Sequence, residues 1–105
     1  MNVDVDVPLV DTVKALGEPL RWRIVELLAA EELCVCHLVE ELNVPQPLVS
    51  HHLKVLREAR VVESSKFRYW TYYRLRSDAL APLATTLTAI ADTAPPSGDR
   101  RRPCC

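Results

Sequence analysis

Glycine is nearly absent from this chain: only Gly17 and Gly98 occur in 105 residues. The long stretch between them has none, so helices joined by short turns are expected. No apolar run approaches the roughly 20 residues that a membrane-spanning helix needs. Met1 to Val10 contains Asp4 and Asp6 but no basic residue, which argues against a secretory signal or transit peptide. A cytoplasmic location is therefore expected. There the four cysteines would stay reduced, which favours metal ligation or redox chemistry over a disulfide framework. Cys-x-x-Cys spacing is missing, and no histidine–carboxylate–nucleophile constellation stands out, so an enzyme is not expected. Residues 77–92 hold no histidine and only Asp78 and Asp92 as candidate ligands, which disfavours a zinc or cobalt site there.

What remains is a chain with 49% hydrophobic residues, enough for a core in a single domain. A core of this size is thin, and a dimer interface would supply the missing burial. The net charge of −1 hides a partition. Residues 1–45 carry three basic side chains against nine acidic ones, a net of −6. Residues 46–76 carry seven basic ones (Lys54, Arg57, Arg60, Lys66, Arg68, Arg74, Arg76) against Glu58 and Glu63, a net of +5. Residues 77–105 balance at zero. A basic module in the middle of the chain is what a phosphate-binding surface requires.

Periodicity divides the chain into a mainly α fold with a small β-hairpin. Asp11–Leu16 reads as a short first helix closed by Gly17. A second helix starts at Pro19 and runs to about Ala30, with Leu20, Ile24, Val25, Leu27 and Leu28 as its apolar stripe. A third, from about Cys34 to Leu42, ends at Asn43 and the Val44–Pro45 turn. Gln46 to Ala59 follows, with Val49, Leu53 and Leu56 on one face and Gln46, Ser50, His51 and Lys54 directed away from it. Two short helices joined tightly, the second polar on its outer face, form a helix-turn-helix. From Val61 to Leu75, β-branched and aromatic residues predict a hairpin turning near Ser64–Ser65–Lys66, placed as a wing. Asp78 to Asp92 returns to helix, with Pro82 near its first turn. The expected organisation is a folded unit over 1–93 and a mobile cysteine-ending tail over 94–105.

These features together resemble the ArsR/SmtB family of bacterial metal-responsive repressors. The resemblance covers residues 11–92 and rests on "KALGEPLRWRIVELL", "ELCVCHL", "VSHHLKVLREARVV" and "YYRL". It implies a winged helix-turn-helix homodimer clasped by its first and last helices. Such a dimer would bind an imperfect inverted repeat in operator DNA and repress until an inducer arrives. Three departures stand out. The family's wing commonly has a glycine near its tip, and "SSKFRYW" has none. Pro45 and Pro47 bracket Gln46 where many relatives carry serines. Many arsenic sensors of the family have a third cysteine three residues after the second, and here Val39 stands at that position.

Within this picture Gln46, Pro47, Ser50 and His51 open the recognition helix. Gln46 can pair bidentately with adenine, and Ser50 or His51 can bond base edges or phosphates. Lys54, Arg57, Lys66 and Arg68 are placed for phosphates, the wing pair reaching the adjacent minor groove. Cys34 and Cys36 are the candidate inducer ligands, since thiolates select thiophilic ions such as As(III) and Sb(III). On a regular helix, residues i and i+2 lie about 200° apart. Both thiolates can then hold one ion only where the helix has not begun or where its first turn unwinds. His37 is adjacent, although imidazole suits zinc better than arsenite. The third sulfur is expected from Cys104 or Cys105, from either subunit. Alternatives are the same repressor triggered by cadmium, lead or cysteine oxidation, and a thiol metalloid buffer that does not bind DNA.

Overall fold

A computed structural model describes residues 6–98 and 100–104. Five helices and three short strands follow in the order α1 (Val7–Leu16), α2 (Pro19–Ala30), β1 (Leu33–Cys34), α3 (Val35–Leu42), α4 (Gln46–Glu58), β2 (Val62–Phe67), β3 (Trp70–Leu75) and α5 (Ser77–Thr93). The architecture is mainly helical with one three-stranded antiparallel sheet, ordered β1-β3-β2. No helix among the described residues is long and apolar enough to cross a membrane.

Helix boundaries follow from local chemistry. Asp6 caps α1, its Oδ1 accepting from the Leu9 amide at 3.1 Å, and Pro8 fits the first turn. The first helix is thus four residues longer at its start than Asp11, because cap and proline lie upstream of the apolar spacing. Glu18 caps α2 through the Arg21 amide at 2.9 Å. Asn43 closes α3 in the left-handed conformation, with φ 53°, a position asparagine tolerates. Pro82 is the sixth residue of α5, one residue deeper than expected and within its second turn. It removes the amide that would bond the carbonyl of Asp78.

The core joins α2, α3, α4 and the start of β2. Ile24, Leu38, Val49, Leu53, Leu56, Val61 and Val62 are all but inaccessible to solvent. The face of α4 that carries Val49, Leu53 and Leu56 is held against this core, so α4 presents its opposite face outward. Val61 fixes the next element as well: its amide bonds Leu56 and its carbonyl accepts from Arg76 at 2.8 Å.

Two features of the sheet differ from the sequence reading. Leu33 and Cys34 form a strand rather than the start of a helix, pairing with Tyr73 and Tyr72 of β3. The hairpin also turns at Arg68–Tyr69, between the paired Phe67 and Trp70, and not at Ser64–Ser65–Lys66, which lie within β2. Arg68 takes the left-handed conformation there, with φ 59°. A two-residue hairpin loop needs positive φ at its first position, and without a glycine the arginine adopts it.

Candidate thiol site and DNA-reading surface

Cys34 is the last residue of β1 and the N-cap of α3, with extended φ −90° and ψ 170°. The helix has not begun at Cys34, so the two cysteines are not held on opposite sides. The sulfurs of Cys34 and Cys36 and a ring nitrogen of His37 lie within 4.8 Å of one another. Two thiolates on one ion, each at about 2.3 Å as for zinc, stand at most about 4.6 Å apart. In a tetrahedral arrangement the two sulfurs would stand about 3.8 Å apart, so side-chain adjustment of up to about 1 Å closes the pair on a single ion, with the helix left wound.

His37 is the residue that sequence reasoning set aside. Its Nδ1 accepts from the Cys34 amide at 3.1 Å and lies 3.3 Å from Cys34 Sγ. Because a backbone amide can only donate, the neutral ring carries its proton on Nε2. A signal was present: His37 is the third residue of α3, where a side chain reaching back to the N-cap amide completes a capping box.

Cys34 is buried and Cys36 exposed. Burial pushes the Cys34 thiol up, but hydrogen bonds from the Cys36 side chain and the first-turn amides outweigh it, and it titrates below its ordinary value. Cys36 moves the other way, because hydrogen bonding to Cys34 and the charge developing there hold its proton. Cys34 is thus the more acidic of the two thiols, and Cys36 is an accessible thiol beside it. Cys104 is exposed and is not among the grouped donors. Cys105 lies outside the described residues.

Gln46, Pro47, Ser50, His51, Lys54 and Arg57 are all exposed along α4, as are Lys66 and Arg68 on the wing. His51 and His52 diverge: His51 faces solvent while His52 is 6% exposed and turned toward α2. There Arg21 Nη1 donates to His52 Nδ1 at 3.1 Å, and Arg21 Nε donates to the Ala15 carbonyl at 2.6 Å. This link between α2 and the recognition helix has no counterpart in the apolar spacing.

A model of the bacterial regulatory proteins of the arsR family matches residues 18–64, from the N-cap of α2 into the wing. An arsenical resistance operon repressor of Staphylococcus xylosus is 37% identical over 77 residues, covering 73% of this chain and 74% of that protein. The chain belongs to the ArsR family. This family consists of transcriptional regulators and not of enzymes. An uncharacterized HTH-type transcriptional regulator of Methanocaldococcus jannaschii is 42% identical over 66 residues, covering 62% of this chain and 74% of its own. Among solved structures, the homodimeric winged helix-turn-helix DNA-binding domain of a possible ArsR-family regulator from Mycobacterium bovis superposes with a TM-score of 0.67. It is 26% identical and covers 81% of this chain and 79% of that one. The chain spans between 57% and 62% of the length of several other curated relatives.

Proposed function

We propose that this ArsR-family chain is a homodimeric repressor that holds operator DNA through α4 and the wing and releases it when As(III) or Sb(III) binds Cys34 and Cys36. The observation that carries the reading is the convergence of both sulfurs at the N-terminus of α3, the helix that supports α4. Trivalent arsenic or antimony supplies a strongly thiophilic centre that takes up thiolates in a pyramid. Cys34 contributes the more acidic thiol and Cys36 the accessible one. Cys104 or Cys105 contributes the third sulfur from the chain end, within one subunit or across two. The resistance function named for the Staphylococcus relative supports arsenic as the inducer.

Gln46, Pro47, Ser50 and His51 approach base edges, while Lys54, Arg57, Lys66 and Arg68 hold phosphates. Dimerisation is supported by the homodimeric relative, and a seam on α1 and α5 by Val7, Val13, Leu87 and Ile90, large apolar side chains exposed on these two helices. A second reading keeps the repressor but makes a divalent soft cation such as cadmium or lead the inducer. The nitrogen of His37 beside the two sulfurs favours it.

Fluorescence anisotropy on DNA from upstream of the protein's own gene tests the reading. The reduced protein binds, arsenite releases it, and the Cys34→Ser/Cys36→Ser double variant binds but is not released. A chain ending at Asp99 binds equally well and responds more weakly. Release of the double serine variant by arsenite would remove these cysteines from the sensor. Release by cadmium alone would transfer the role to the divalent cation.

A further inference from the structure

We propose that Tyr72 is a positioning residue through which the thiol site acts on the DNA-contacting tip of the wing; this rests on the sensing function proposed above. The β1–β3 ladder sets Cys34 directly opposite Tyr72, so the two side chains share one face of the sheet. The His37 ring stands 6.3 Å from the Tyr72 ring at 50°. The Tyr72 ring in turn stands 6.4 Å from Phe67, edge to face at 75°. At the end of the row the Arg68 guanidinium lies 5.4 Å from the centre of the Phe67 ring. Both ring separations fall in the range of attractive aromatic pairs, about 4.5–7 Å. The last contact is within the reach of about 6 Å for a cation over a ring. An unbroken row of contacts thus runs from Cys34 to the wing-tip cation.

The near end of the row is held by the cysteine itself. His37 keeps its place through the Cys34 amide and the adjacent Cys34 sulfur. Drawing that sulfur toward Cys36 withdraws part of this support, and His37 forms one wall of the Tyr72 ring's surroundings. The far end is poised: Arg68 has left-handed backbone, and Phe67 and Trp70 beside it are 61% and 57% exposed. Beyond the Phe67–Trp70 pair that closes the hairpin, the row is the side-chain contact that reaches Arg68. The wing therefore receives the signal directly through β3, in addition to any tilt passed from α3 to α4.

The test is amide NMR of the full-length reduced protein with arsenite as probe, and cadmium where arsenite gives no shift, alongside anisotropy on the upstream DNA. In the wild type, amides of Cys34–His37 and of Phe67–Trp70 shift together. In Tyr72→Leu the first set still shifts and the second does not. Ligand-free DNA affinity stays within about threefold, and the ligand-induced loss of affinity falls from the usual allosteric range of about 5–150-fold to under about threefold. Tyr72→Phe, which keeps the ring, behaves as wild type. Phe67→Ala, at an exposed position that does not endanger folding, breaks the row at its next link and gives the same loss. Shifts confined to α3 and α4 in the wild type, or full release of Tyr72→Leu or Phe67→Ala, would overturn the relay. No shift at Cys34–His37 with either ion would overturn the sensing function and the relay with it. Mere packing by Tyr72 would alter stability and DNA affinity without separating the two sets of shifts, which would equally count against it.

Discussion

His52 lies on α4 but is buried against α2, accepting a hydrogen bond from Arg21 through Nδ1. Arginine can only donate, so this bond requires the neutral ring. Burial pushes the His52 pKa down, the charges of Arg21 and His51 push it further, and Glu18, 3.7 Å from Nε2, opposes them. The folded-state value is therefore below the unfolded one of about 6.5. The unfolded chain binds more protons between the two, so this contribution to stability is complete above about pH 6.5 and declines as pH falls toward the folded value. Urea midpoints measured from pH 7.5 to 5 should fall on acidification. His52→Gln, which still offers Arg21 an acceptor, should flatten that fall. An equally steep fall in the variant would contradict the assignment.

The wing shows at the level of an element how much the sequence could reveal. The helices α2 and α4 were legible because Ile24, Leu28, Val49, Leu53 and Leu56 repeat at helical spacing and fill the core. The hairpin was legible from its β-branched and aromatic residues, but its turn was not. Polar Ser64–Ser65–Lys66 looked like a loop, whereas cross-strand pairing of Phe67 with Trp70 set the register. The two-residue β1 was illegible, because only its pairing with β3 makes it a strand. Of the candidate site, Cys34 and Cys36 were evident from chemistry, while His37 and Tyr72 join it only through a cap and a sheet contact. Arg68 at φ 59° pays roughly 1 kcal/mol for a conformation that glycine adopts freely. Arg68→Gly should therefore raise stability by up to about 1 kcal/mol in thermal melts while weakening DNA binding in anisotropy. If stability falls, the turn assignment is wrong. If DNA affinity is unchanged, the tip does not contact DNA.

At the scale of the whole molecule, the basic charge is concentrated in residues 46–76, the segment that forms α4 and the wing. Beside the exposed aromatic Phe67, Tyr69 and Trp70 of the wing, large apolar side chains also face outward on α1 and α5, with Leu87 and Ile90 55% and 61% exposed. In the proposed dimer, burying the side chains of α1 and α5 in a second copy keeps the two α4 helices on one assembly, as the proposed inverted repeat requires. Leu87→Glu/Ile90→Glu should sediment as a monomer and lose at least about tenfold in operator affinity, since each half-site then binds alone. A dimeric variant would place the interface elsewhere.

The proposed coupling between the thiol site and the DNA surface would obey reciprocity: whatever factor arsenite takes from DNA affinity, DNA must take from arsenite affinity. Calorimetric titration of arsenite into the free reduced dimer and into the dimer saturated with its upstream DNA measures this without assuming any pathway. Binding to the DNA complex should be weaker by the same factor, within error, by which arsenite weakens DNA binding in anisotropy. Equal arsenite affinity for the free and DNA-bound protein would show that the cysteines at the head of α3 do not control the recognition helix.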